Sequence, residues 1–145
     1  MIRTGLLTII ILCLLCPVLF AAEANQHKSL AQARIFYESG DYTQAYPLYF
    51  SLFQQDPANR EINFYLGKSA LGLGDYEAAV MSFERVLIIA PAADEVKIEL
   101  AKAYLGLGAE ETAIHYAEEA LAAELPDNLR QEVEAFLKEL TGRPR

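Results

Sequence analysis

The stretch "KSALGLGDYEAA", residues 68–79, holds Gly72 and Gly74 one residue apart, directly ahead of Asp75. Two glycines with this spacing can begin a dinucleotide-binding loop, whose pattern G-x-G-x-x-G requires a third glycine between a strand and a helix. Glu77 stands in the third position, and the residues on both sides follow a helical pattern. We therefore predict a turn between two helices, in which Gly74 is left-handed and Asp75 caps the next helix.

The same stretch recurs with a period of 34 residues. "KSALGLG" at 68–74 becomes "KAYLGLG" at 102–108, with five of seven residues identical, and "RIFYESG" stands at 34–40. Further columns agree between the copies: Gly40, Gly74 and Gly108; Ala45, Ala79 and Ala113; Tyr49 and Phe83; Pro57 and Pro91. A helical period of this length indicates stacked helix pairs, because one pair cannot bury its apolar face alone.

This 34-residue unit resembles the tetratricopeptide repeat (TPR), whose pattern is W-x₂-L-G-x₂-Y…A-x₃-F…P. Repeat two, residues 60–93, fits best, and repeats one and three are 26–59 and 94–127. Each copy lacks the tryptophan, and repeat three has its proline, Pro126, one residue late. The resemblance implies an all-α fold, an α-solenoid of three helix-turn-helix repeats.

A capping helix is predicted at residues 128–140, with 141–145 as a tail. Its apolar residues fall at helical spacing and would cover the last repeat: Leu129, Val133, Phe136, Leu137 and Leu140. Pro47 conflicts with the pattern, because it falls inside the second helix of repeat one. That helix must either start late or bend, since proline removes a backbone hydrogen bond.

Residues 1–24 have the layout of a secretory signal peptide. Arg3 precedes an apolar run, and Ala22-Glu23-Ala24 offers a cleavage site. Both cysteines lie in this segment, so a cleaved chain has no thiol for a disulfide or a metal site. We expect a periplasmic or secreted protein without stable membrane insertion. The alternative is that the segment is retained as an inner-membrane anchor.

Charge and composition exclude several classes of function. The chain carries 12 Lys+Arg and 20 Asp+Glu, a net charge of −8, which argues against nucleic-acid binding. Its two histidines, His27 and His115, belong to no metal-binding motif. We find no catalytic constellation, so no enzyme activity, cofactor or metal is predicted.

The resemblance implies that the first helix of each repeat lines a concave groove that binds peptides or partner proteins. The family's groove positions correspond to a basic row, Arg34, Lys68 and Lys102, between two apolar rows, one of Leu30, Phe64 and Ile98 and one of Tyr37, Leu71 and Leu105. This groove would suit a ligand with apolar anchors and acidic residues or a free carboxylate. Alternatively, the three cations have no ligand: their long side chains lie over apolar helix surface and keep their charges in water. Some members of the family use Lys and Asn at set positions to bind the C-terminal carboxylate of a chaperone. Leu30, Glu95 and Glu99 stand at or near such positions here and argue against a ligand of that type.

The sequence leaves three functions open. The first is a protein-interaction scaffold in the bacterial periplasm or cell envelope. The second is an accessory factor for outer-membrane or surface-protein assembly, because residues 124–140, "ELPDNLRQEVEAFLKEL", are similar to the segment that closes TPR domains preceding outer-membrane barrels. The third, an enzyme or small-molecule binder, has the least support.

Overall fold

The computed structural model describes residues 27–142, which form helices joined by short turns. Residues 27–38 belong to α1. The other helices are α2 Tyr42–Gln55, α3 Arg60–Leu73, α4 Tyr76–Ile89, α5 Asp94–Gly106, α6 Glu110–Leu121 and α7 Asp127–Thr141. The predicted signal peptide and the last three residues of the predicted tail lie outside the described residues. Within the described part, none of the helices is long and apolar enough to cross a bilayer.

The turns between paired helices have the predicted conformation. Gly40, Gly74 and Gly108 have φ angles of 77°, 77° and 75°, in the left-handed region that glycine adopts without strain. The carboxylate of Asp75 accepts a hydrogen bond from the Ala78 backbone N–H at 3.1 Å. The predicted turn and cap are therefore confirmed, and "GLGDYE" links two helices instead of cradling a phosphate.

The first glycine of "GLG" has a different role from the second. A Cβ on Gly72 would lie 2.3 Å from the ring of Tyr42 in the preceding repeat. The same arrangement recurs one repeat later, where a Cβ on Gly106 would lie 2.4 Å from the ring of Tyr76. Both distances are too short for a Cβ atom. The first glycine is therefore needed because it leaves room for the aromatic ring of the preceding repeat.

Three buried clusters run through residues 27–142, and each spans three consecutive helices. Tyr49 lies in the cluster of α1, α2 and α3, and Phe83 in that of α3, α4 and α5. The third cluster joins α5, α6 and α7. Because each cluster shares a helix with the next, the fold is an all-α solenoid of three helix pairs and a capping helix, as predicted.

The capping helix α7 extends one residue beyond the predicted range at each end. Its Val133 is 1% exposed and packs with Ile98 of α5 and Ala117 of α6. The Arg130 guanidinium donates a hydrogen bond to the Ala123 carbonyl at 3.2 Å, which connects the first turn of α7 to the turn that follows α6.

Pro47 lies inside α2, which begins at Tyr42. The late start considered from the sequence is therefore excluded. Because proline has no N–H, the Thr43 carbonyl lacks its usual partner in the helix. Pro47 itself is exposed.

Candidate functional site

The three cations predicted to form a basic row lie on successive odd-numbered helices, and each pairs with a carboxylate from the next one. Arg34 pairs with Glu61 of α3. Lys68 Nζ lies 2.8 Å from Glu99 Oε1 of α5, and Lys102 Nζ lies 2.7 Å from Glu132 Oε1 of α7. We call this side of α1, α3, α5 and α7 the odd-helix face.

Glu99 lies between two of these cations. Its Oε1 atom accepts hydrogen bonds from Lys68 at 2.8 Å and from Lys102 at 3.3 Å. Glu99 is only 8% exposed, and the side chains of Lys68 and Lys102 are 26% and 33% exposed. One carboxylate is therefore held between two ammonium groups in a partly water-excluded place.

The environment of Lys68 favours its charged form. Burial lowers the pKa of the ammonium, but the hydrogen bond and the negative charge of Glu99 outweigh burial, so the pKa is raised above its ordinary value. Lys68 therefore remains a cation throughout the neutral range. Its Nζ also lies 5.9 Å from the ring centre of Phe64.

The three cations of the expected basic row each have a carboxylate partner in the structure, so the row does not consist of unpaired cations. Their role in a ligand groove stays a prediction. The sequence contained no periodic signal for these partners. Glu61 and Glu99 are 38 residues apart, and the residue one period after Glu61 is Glu95.

The two predicted apolar rows are only partly accessible. Five of the six residues are half-buried: Leu30, Tyr37, Phe64, Leu71 and Leu105. The structure corrects the expectation for Ile98, which is 5% exposed because it packs against α7. The row of Leu30 and Phe64 is therefore interrupted at α5.

A cleft of about 280 Å³ opens between the first turns of α3 and α5. It is lined by Arg60, Glu61, Phe64, Tyr65, Val86, Glu95 and Val96. The cleft adjoins the ion pairs, because Glu61 binds Arg34 and Phe64 lies under Lys68. Of this set, only Phe64 was predicted from the sequence to line the groove. Val86 was not foreseen, since it belongs to the second helix of its repeat.

The aromatic wall of the cleft is held rigidly. Tyr65 makes edge contacts with Phe64 and Tyr37, at centroid distances of 5.4 and 5.0 Å, and stacks on Tyr49 at 5.6 Å. Tyr49 is fully buried, and its hydroxyl has no hydrogen-bond partner within residues 27–142. Because Val86 and Val96 are 1% and 0% exposed, the accessible surface of the cleft consists of these two rings, Phe64 and Tyr65, and of charged side chains around them.

The described residues contain no group of three or more His, Cys, Asp or Glu side chains placed to hold a metal ion. His115 Nε2 lies 3.3 Å from Glu119 Oε1, and the histidine side chain is 64% exposed. His27 is also exposed. Neither histidine contributes to the cleft.

Comparisons with known sequences identify the repeats. Two family models, both described as tetratricopeptide repeat, match residues 30–95 and 70–135. Together they span all three helix pairs and part of the capping helix. No curated protein sequence shows significant similarity to the chain.

Solved structures share the architecture. PcrH in complex with the chaperone binding region of PopD aligns over 83% of this chain and 94% of that chain, with 24% identity and a TM-score of 0.75. Yersinia enterocolitica SycD in complex with a peptide of the translocator YopD covers 79% and 91%, with 20% identity and a TM-score of 0.73. The first TPR of Spaghetti (RPAP3) bound to the HSP90 peptide SRMEEVD covers 81% and 93%, with 18% identity and a TM-score of 0.70. At these identities the likeness shows the fold alone.

Proposed function

The chain belongs to the tetratricopeptide-repeat family, and from that premise we propose that it is a non-enzymatic scaffold that holds a peptide or an extended segment of a partner protein on its odd-helix face. The observation that carries this proposal is the cleft between α3 and α5, with the half-buried rings of Phe64 and Tyr65 in its lining. Solved neighbours with peptides bound, PcrH, SycD and RPAP3, support the same class of function.

The cleft can receive an apolar side chain of a peptide. Such a side chain would lie against the rings of Phe64 and Tyr65, which line the cleft and are only half-buried. Neighbouring residues of the peptide would then pass along α3 and α5.

We place this activity outside the cytoplasm, in the bacterial periplasm or cell envelope. The support is the signal-peptide layout of residues 1–24. A role in outer-membrane or surface-protein assembly is not favoured by a separate structural observation. The segment that suggested it forms the capping helix, and a helical solenoid needs such a cap whatever its partner is.

Site-specific photo-crosslinking tests the proposed face. A photoreactive amino acid is placed at Glu95, which is exposed and lines the cleft. The control has it at Met81, which is 56% exposed on an even-numbered helix, α4. Both full-length variants are expressed in a bacterial host and irradiated in intact cells.

We expect one partner to be crosslinked from position 95 and not from position 81. An excess of a synthetic peptide copied from the crosslinked segment of the partner should abolish the adduct in purified protein. Equal adducts from both positions, or adducts from position 81 alone, would contradict binding on the odd-helix face.

A further inference from the structure

We propose that Glu99 determines which ligands the odd-helix face accepts, an inference that rests on the proposed function. Its carboxylate occupies the anion position between Lys68 and Lys102. The native face therefore rejects an acidic side chain or a terminal carboxylate at this place and accepts an uncharged, apolar peptide segment.

The Glu99 carboxylate is held between two ammonium groups, as an anion bound from solution would be. Two ammonium groups from different helices, α3 and α5, share one carboxylate oxygen at 2.8 and 3.3 Å. Charge-assisted hydrogen bonds of this kind are the strong ones in proteins. Arg34 is already paired with Glu61. An acidic group that enters between Lys68 and Lys102 would therefore need the two donors that Glu99 already uses.

Displacing Glu99 would be costly for two reasons. The residue is part of α5, so its carboxylate competes from within the molecule at a high effective concentration. It is also 8% exposed, and a carboxylate that loses both partners in such a place becomes an uncompensated buried charge. A free acidic ligand supplies nothing that offsets these two costs.

The charges of the face cancel before any ligand arrives. Arg34, Lys68 and Lys102 are opposed by Glu61, Glu99 and Glu132. The molecule as a whole has a net charge of −8, so acidic peptides gain no long-range attraction. Removing the charge of Glu99 would leave one positive charge in excess on this face, at the point where two ammonium groups lie together.

A defined acidic peptide tests this assignment. The probe is fluorescently labelled SRMEEVD with a free carboxyl terminus, and its neutral counterpart is SRMQQVN with an amidated terminus. Fluorescence anisotropy measures binding of each to the native chain, to Glu99→Gln and to Glu118→Gln. The last is a control for the loss of one negative charge, since Glu118 is exposed on the even-numbered helix α6 and does not line the cleft.

Glu99→Gln should bind SRMEEVD at least about tenfold more tightly than the native chain does, as expected for one new charge-assisted contact. The gain should shrink in high salt and disappear in the double variant Lys68→Met with Glu99→Gln. The neutral peptide should not gain affinity, and Glu118→Gln should bind SRMEEVD as weakly as the native chain. Thermal melting confirms that each variant is folded.

The assignment is overturned if the native chain binds SRMEEVD as tightly as Glu99→Gln does, or if folded Glu99→Gln gains nothing. Such a result leaves the proposed function intact when position 95 still crosslinks a partner. A gain in Glu99→Gln without a crosslink from position 95 would support the role of Glu99 and contradict the proposed function.

Discussion

Gly72 and Gly74 are separated by one residue, yet different physical demands require them. Gly74 needs a positive φ, whereas Gly72 needs the absence of a Cβ beneath the ring of Tyr42. Repeat one has Glu38 in the column of Gly72. Repeat one is the first repeat in the described residues 27–142, and within them no ring of an earlier repeat lies against Glu38.

We predict that Gly72→Ala destabilises the protein by about 1–3 kcal/mol, the usual cost of overpacking. Alanine is a better helix former than glycine by about 1 kcal/mol, so the clash with Tyr42 must outweigh a favourable term. Urea unfolding measures the change. Glu38→Ala, in the same column of repeat one, is the control and should leave stability nearly unchanged. A Gly72→Ala variant as stable as the native chain would contradict the close contact.

The sequence predicted the role of Gly74 because a turn is a local property that neighbouring residues reveal. It did not reveal Gly72, since the contact with Tyr42 joins two repeats. The partners of the cations were missed for a related reason. Glu99 of α5 pairs with Lys68 of α3, and the position of Glu99 within its repeat differs from that of Glu61.

The capping helix α7 completes the last core and also limits the candidate site. Val133 closes the cluster that contains Ile98 and Ala117, and Glu132 supplies the second partner of Lys102. One helix therefore has two effects on α5: it buries an apolar residue expected in the groove, and it neutralises a cation. The apolar stripe of α7 was readable from the sequence, whereas the ion pair of Glu132 was not.

We expect Val133→Ala to lower the free energy of unfolding by about 2 kcal/mol, from the loss of two buried methyl groups. Glu134→Ala is the matched control, because Glu134 is the next residue and is exposed; it should change stability by less than about 0.5 kcal/mol. Guanidinium unfolding monitored by circular dichroism compares the two. Equal stability of both variants would mean that α7 does not close the core.

Across the described part of the molecule, burial raises the pKa of several tyrosines. Burial is the first cause of a raised pKa in five of them: Tyr37, Tyr46, Tyr49, Tyr104 and Tyr116. For Tyr104, burial and the hydrogen bond that its hydroxyl donates to Glu84 raise the pKa to about 12. The folded protein therefore holds these protons more tightly than the unfolded chain does.

Stability should consequently fall at alkaline pH. A raised folded-state pKa contributes stability that is fully present below about pH 10, the ordinary tyrosine value, and is lost as the pH rises toward the raised values. Lys68 acts in the same direction, since its pKa is also raised. Urea unfolding from about pH 8 to about pH 11 measures the decline. Tyr104→Phe should make it shallower; an unchanged slope would contradict the assignment to Tyr104.

The glycine–tyrosine contact between neighbouring repeats also determines which repeats can be duplicated. It joins Tyr42 to Gly72 and Tyr76 to Gly106. Repeat two carries both members, a glycine that receives a ring and a tyrosine that supplies one. Repeat one has Glu38 in the glycine column, and repeat three has Glu110 in the tyrosine column. A tandem copy of residues 60–93 would preserve each junction and lengthen the solenoid, whereas copying either terminal repeat would create a mismatched one. The middle repeat is thus the module from which longer members could arise by duplication.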